Sequence, residues 1–260
     1  MVESSVIIQV FEDGVLQLTL NRPERANAFD HEMNVALQKA LRAAERDAAV
    51  RCVLLKGAGS VFSAGQDLGE MQHAQSEVSY RKHLQQTYNP LIMQLRTMEK
   101  PIVAALQGAV AGAALGIALA CDLRIAAEGT LFSVGFLGIG LAPDSGVSLL
   151  LPAVVGLGIA SELAFTNTPF DAQQALGWNL VNHVVPVETL LAQSMALAIQ
   201  LARGPQQAIG LTKRAFNRAV LSNLESVLDY EAHIQSIAQH GAEHREGVRA
   251  FLEKRSPKFE

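Results

Sequence analysis

Gly108-Ala109-Val110-Ala111-Gly112-Ala113-Ala114-Leu115-Gly116-Ile117-Ala118-Leu119-Ala120-Cys121-Asp122 is the stretch on which the reading of this chain turns. It follows the apolar run Ile102–Leu106, which reads as a buried strand, and its small residues read as a turn that opens a helix. A second segment of the same make, Phe62-Ser63-Ala64-Gly65-Gln66-Asp67-Leu68, follows the apolar run Cys52–Leu55. Small side chains let a ligand approach the backbone closely. The first turn of a helix presents N–H groups that have no intrahelical partner. Two such turns, facing each other, are able to hold one oxygen atom that becomes negative during a reaction.

Working outward, strands and helices alternate. Val15–Leu20 alternates apolar and polar residues after Asp13-Gly14, a hairpin turn signal, and Asn21-Arg22-Pro23 ends it. Asp30 is placed as the N-cap of a helix whose inner face is Met33, Leu37, Ala40, Leu41 and Ala44. Gly57–Ser60 reads as a loop, Glu77–Thr97 as helical and Leu123–Ala127 as a further strand. This alternation predicts an α/β core. Beyond it, Leu190–Ala202, Gln206–Val220, Leu224–Gln239 and Glu243–Lys254 read as helices, broken at Arg203-Gly204-Pro205 and Gly241. On the second of these, Leu211, Ala215 and Ala219 lie on one side, with Lys213 and Arg214 off it. The expected division is a core over residues 1–190 and a helical region over 191–260. That region is too small for a core of its own, so it packs on the body or on a partner subunit.

Composition narrows the function. The 260 residues are 49% hydrophobic and 18% charged, with a formal net charge of −4, as expected of a globular protein. No basic block large enough to cover a nucleic-acid backbone occurs, so nucleic acid is not the expected partner. Cys52 and Cys121 lie in apolar strings and read as buried free thiols in a reducing compartment, consistent with a cytoplasmic protein. The N-terminus carries Glu3 and lacks the basic start and apolar core of a signal peptide. Ile102–Cys121 imitates a membrane span, but Ala and Gly supply eleven of its twenty residues, so no membrane association is expected.

Leu137-Gly138-Ile139-Gly140-Leu141-Ala142-Pro143-Asp144-Ser145-Gly146 ends an apolar, glycine-rich stretch on a lone carboxylate. Desolvation raises the pKa of such a group and makes it a better base near neutral pH. Asp144 also fits as the N-cap of a helix over Ser145–Leu151, and one carboxylate can serve both roles. Other patterns carry less. His240-Gly241-Ala242-Glu243-His244 matches H-x-x-E-H, but a glycine sits inside it and no third ligand follows, so no metal site is expected. Gly156-Leu157-Gly158 approaches a dinucleotide fingerprint without its third glycine, which leaves small-residue helix packing as its reading. No serine stands in a G-x-S-x-G elbow.

Taken in order, Asn21-Arg22-Pro23-Glu24-Arg25-Ala26-Asn27-Ala28, Phe62–Leu68, Gly108–Asp122, Leu141–Gly146 and the tail Glu246–Pro257 resemble the crotonase superfamily of enoyl-CoA hydratases and isomerases. The resemblance spans nearly the whole chain. Pro143-Asp144 followed by a small residue and glycine, with the tail Lys254-Arg255-Ser256-Pro257, is similar to the group that isomerises a ring-epoxide of phenylacetyl-CoA. Val147, where a second glycine is common, departs from that pattern.

The resemblance implies a spiral of ββα units, a helical C-terminal trimerisation region and a homotrimer or dimer of trimers. It implies an acyl-CoA thioester as ligand, with CoA entering as part of the substrate and no separate cofactor or metal. The backbone N–H groups of Gln66 and Ala113 fall at the family's oxyanion hole, with Ala64, Gly65, Asp67, Leu68 and Gly112 around them. Arg25, Phe251 and Lys254 match positions that reach the CoA. The two glutamates with which family hydratases handle water fall at Gly116 and Phe136, neither of which is an acid; Phe136 is left as a residue of the acyl pocket. Asp144 is then the catalytic base, and isomerisation is favoured over hydration. Two alternatives stay open: a hydratase with an unrecognised second acid, and a non-catalytic CoA-binding subunit.

Overall fold

The computed structural model describes residues 5–69 and 79–259. Its principal sheet has six strands in the order β1-β2-β3-β4-β6-β9: β1 (Ile7–Glu12), β2 (Val15–Leu20), β3 (Cys52–Gly57), β4 (Ile102–Leu106), β6 (Leu123–Ala127) and β9 (His183–Val185). β1 and β2 form an antiparallel hairpin across Asp13 and Gly14, both at positive φ, which is the conformation that a tight two-residue hairpin needs. Every later pairing in this sheet is parallel.

A smaller sheet explains the spiral. β5 (Ala109–Ala111) follows β4, and β7 (Leu131–Ser133) follows β6; these two pair in parallel, with β8 (Phe170–Asp171) antiparallel at the edge. After β3, Ser63 makes a bridge to Val110 and so occupies the equivalent place. Three successive passes of the chain therefore go from the large sheet to the small one and leave it at the same end.

The inner strands β3 and β4 are buried on both faces, which is why they read as continuous apolar runs, while the edge strand β1 is exposed beyond Ile7. Leu16, Leu18, Leu20, Val53, Leu55, Ile102, Ala104 and Leu106 face the main core. Val15, Cys52, Leu54, Val103, Ala105 and Ile125 face α8 (Leu190–Arg203) through Ala198 and Ala202. Both thiols are free and buried.

Helix α1 (His31–Arg46) is capped by Asp30, whose Oδ1 accepts from Met33 N at 2.8 Å, and it buries the five residues read as its inner face. The stretch expected to be helical over Glu77–Thr97 is two helices, α2 (Tyr80–Gln86) and α3 (Tyr88–Thr97), and its first two residues lie outside the described ones. Thr87, at φ −116° and ψ −77°, breaks the run. Helix α4 (Ala113–Ala120) is buried all round, so the membrane-like stretch is two strands, β4 and β5, followed by a short core helix. No helix among the described residues is long and apolar enough to cross a membrane.

Then come α5 (Val147–Val155), α6 (Leu157–Thr166), α7 (Ala172–Gly177), α9 (Gln206–Val220), α10 (Leu224–Ala238) and α11 (Ala242–Leu252). One expectation is corrected here. Gly156 and Gly158 lie in open space around the joint of α5 and α6, not in a helix–helix contact. On α9 the body is met by Lys213, whose Nζ donates to Leu95 O and to Asp122 Oδ2, both at 2.8 Å. Full pairing makes that burial tolerable, and it turns Leu211, Phe216 and Val220 outward, 44%, 65% and 58% exposed. Leu224, Leu228 and Ala232 of α10 belong to the main core.

Candidate active site

The three chain passes leave the small sheet as three turns: 64–66 after Ser63, 112–113 after β5 and 134–136 after β7. The first two are in contact. Gly65 sits at φ +93°, and a β-carbon there would come 2.6 Å from Ala111 O and 3.5 Å from Ala113 N. Only glycine fits that conformation and that approach. Gly112 N donates to Ser133 O at 3.1 Å, which ties the second turn to the third.

The first turn is also anchored from the Asn21-Arg22-Pro23 segment. Phe29 N donates to Gly65 O at 2.7 Å and Asp67 N to Phe29 O at 2.9 Å. Arg22 donates to Ala28 O at 2.6 Å and pairs with Asp67 Oδ2 at 3.1 Å. Ala113 is the first residue of α4, so its N–H has no partner within the helix.

These turns wall a cavity of about 900 Å³. Ala64, Gln66, Asp67 and Leu68 line it from the first turn, Gly112 and Ala113 from the second and Phe136 from the third. Asp144 lines it from the loop before α5. Arg25, Phe251 and Lys254 are among its exposed lining residues, beside Leu252, Arg255 and Ser256. Gly65 packs behind the lining, against Ala111.

Asp144 is buried, and burial pushes its carboxyl up to about 6. Two neutral donors hold it below a still higher value: Ser145 Oγ at 2.7 Å on Oδ1 and Gln235 Nε2 at 2.6 Å on Oδ2. A carboxylate with that midpoint is ionised at neutral pH yet basic enough to accept a proton. Its reading as a helix cap is corrected. Helix α5 starts at Val147, after Ser145 and Gly146, and Glu231 of α10 fills the cap. Glu231 accepts from Gly146 N at 2.8 Å, from Ser148 N at 3.0 Å and from Ser148 Oγ. Burial raises Glu231 to about 7, and the neighbouring charge of Asp144 adds to the rise.

Position 116 is closed to any side chain, because a β-carbon on Gly116 would overlap the Ser145 carbonyl oxygen. Phe136 is buried and apolar. The other carboxylate lining the cavity among the described residues, Asp67, is paired with Arg22 and accepts from Gly69 N at 3.0 Å.

Several lining residues carried no sequence signal. Tyr88 Oη and His83 Nε2 both donate to Gln66 Oε1, at 2.7 and 3.2 Å. Burial lowers His83 to about 4, with His31 adding to the effect, so its imidazole is neutral. Tyr80 Oη meets His244 Nε2 at 2.8 Å, while His244 Nδ1 donates to Ile139 O at 2.8 Å, which fixes the tautomer. The second histidine of the H-x-x-E-H pattern, His244, is thus a strut between Tyr80 and the 137–139 turn. Among the described residues no three His, Cys, Asp or Glu side chains are grouped to hold a metal ion. Gln235 and Glu231 did leave a trace: they are polar residues spaced by four on the apolar face Leu224, Leu228, Ala232.

The family model for enoyl-CoA hydratase/isomerase matches residues 10–260. The chain belongs to the enoyl-CoA hydratase/isomerase family. It is 42% identical to the 1,2-epoxyphenylacetyl-CoA isomerase of Escherichia coli K12, over 97% of each chain. It is 35% identical to the trans-2-decenoyl-[acyl-carrier-protein] isomerase of Streptococcus mutans, over 97% of each. The crystal structure of an enoyl-CoA hydratase from Mycobacterium avium subsp. paratuberculosis superimposes with a TM-score of 0.88 at 33% identity, covering 98% of each chain. The family thus includes both isomerases and hydratases, and the α/β architecture with its helical C-terminal region is the crotonase fold.

Proposed function

We propose that this enzyme isomerises an acyl-CoA thioester by moving a proton between carbon atoms of the acyl group, shifting a double bond or rearranging a ring-epoxide acyl group. Asp144 takes the proton beside the thioester carbonyl, and the electron pair moves onto the thioester oxygen. The N–H groups of Gln66 and Ala113 hold that oxygen, each worth about 2.7–4 kcal/mol in the transition state. Asp144 then returns the proton at another carbon. Arg25 and Lys254, exposed cations of the lining, suit the phosphates of CoA, and Phe251 offers an apolar surface beside them. CoA is part of the substrate, and the scheme calls for no separate cofactor.

The observation that carries this reading is the single base. Asp144 is a cavity carboxyl near pKa 6 with no ion-pair partner among the described residues, whereas Asp67 is paired with Arg22. Positions 116 and 136 are a closed glycine and a phenylalanine. The hydratase alternative needs a second acid, and the buried acid nearest in role is Glu231. Both of its oxygens are engaged by the start of α5, and it is not among the residues lining the cavity.

Double-bond migration is therefore expected to outrun hydration. In a side-by-side assay in deuterated solvent, a 3-enoyl-CoA should isomerise with solvent deuterium entering the acyl chain, while a 2-enoyl-CoA gains water slowly. Hydration as the faster reaction would overturn the assignment.

We also propose a homotrimer or dimer of trimers. A lone protomer leaves Leu211, Phe216 and Val220 of α9 in water, and Phe216 and Val220, four residues apart, share a face of the kind that subunit contacts cover. Light scattering at micromolar concentration should give three or six times the chain mass; a stable monomer would contradict it.

A further inference from the structure

The base is held by a helix 91 residues further along the chain. Helix α10 sends two side chains, one turn apart, to the two ends of one loop. Glu231 takes the backbone N–H groups of Gly146 and Ser148, at the start of α5. Gln235 donates to Asp144. Between them Ser145 is buried at φ +54°, a left-handed conformation that a non-glycine residue keeps only when its surroundings impose it. The geometry points to Gln235 as a positioning residue that aims the Asp144 carboxylate into the cavity, with Glu231 holding the loop on which Asp144 stands. This rests on the reading of Asp144 as the base.

Three features favour a functional role for Gln235 over a packing role. First, its Nε2 and Ser145 Oγ give each carboxylate oxygen one donor, which fixes the plane of the carboxylate and leaves a lone pair on each oxygen for the incoming proton. Second, both donors are neutral. An arginine in this place would orient the carboxylate equally well but would lower its pKa and weaken it as a base. Third, Gln235 Oε1 is buried without a hydrogen-bond partner. An unsatisfied buried acceptor lowers stability, so an apolar residue of the same length would suit the fold better. The amide is accounted for by what its N–H group does at Asp144.

The charged surroundings are few. Helices α4 and α5 carry no ionisable side chain. From α10 the titratable neighbour coupled to Asp144 is Glu231. Tyr80 and His83 of α2, Tyr88 of α3, and Arg25, Asp67, Lys254 and Arg255 line the same cavity. His244 of α11 stands behind Tyr80. All of them remain in a Gln235 variant, so a comparison with the parent isolates the amide.

The test is Gln235→Met, measured for 3-enoyl-CoA isomerisation across pH and by carbon NMR titration of the Asp144 carboxyl. The carboxyl midpoint should rise by about one to two pH units, the size of one lost hydrogen bond to a charged group. The acid limb of kcat/KM should move with it. On the alkaline plateau kcat should stay about 10- to 100-fold low with KM nearly unchanged, as for a misaligned catalytic group. At pH 5, where the folded Asp144 is largely protonated in both proteins, the melting temperature should not fall; above pH 6 it should fall as the raised midpoint requires. Gln235→Asn, which keeps the amide but draws it back by one methylene, should give the same shift and serves if the Met variant does not fold. An unmoved midpoint, or full kcat in a folded variant, would overturn the inference. Asp144→Asn run in parallel separates the two failures: if that variant stays active, the base assignment itself has failed.

Discussion

Asp144→Asn is expected to lower turnover by about 10²–10⁴, the contribution of a positioned general base, while acyl-CoA binding persists. The amide matches the carboxylate in size and still accepts from Ser145 Oγ or Gln235 Nε2 through its one oxygen. It cannot take a proton from carbon. In the parent enzyme, kcat/KM should rise with pH through about 6 and then level, because the carboxylate must be ionised to act and burial sets its midpoint there. Stability responds with the opposite sign. A carboxyl whose folded pKa lies above its ordinary value favours the folded state most below that ordinary value, and this contribution is lost as pH rises through about 6. The variant should lose this part of the pH dependence of its melting temperature. Stopped-flow turnover, calorimetric binding and thermal melts on one preparation decide the matter. Unchanged kcat would remove Asp144 from the chemistry and favour the non-catalytic CoA-binding alternative.

Ala113→Val should cut kcat/KM by about 10²-fold or more, the scale of losing one oxyanion donor. Ala113 opens α4, is 4% exposed and lines the cavity opposite the Gly65 turn. A β-branched side chain there crowds the space in front of its own N–H group. If Ala113 only packs, the substitution costs stability alone, about 1–3 kcal/mol through overpacking. Melting temperature and turnover measured on one sample separate the outcomes, and full activity in a destabilised protein would take Ala113 out of the site.

Much of this was legible in the residues because local rules and tertiary packing agree. The two small-residue turns, the Asp30 cap and the buried strands follow from glycine placement, capping chemistry and apolar runs, and the chain obeys each. Other features depend on which distant elements meet. Nothing local tells that Glu231 caps α5, that Lys213 turns inward to Asp122, or that Tyr88 and His83 converge on Gln66. The short strands of the small sheet escaped for the same reason. Three residues such as Leu131–Ser133 carry too little periodicity, and only stacking against Ala109–Ala111 makes them a strand.

The Ser145 carbonyl beside Gly116 bears on how such an enzyme changes trade during evolution. Adding a glutamate at 116 is a single codon's work on paper, but the volume it would enter is already taken by main chain. Loop 143–147 would have to be rebuilt first, and that loop also carries Asp144. A lone acid substitution at 116 is therefore expected to displace the proposed base before it supplies a second acid.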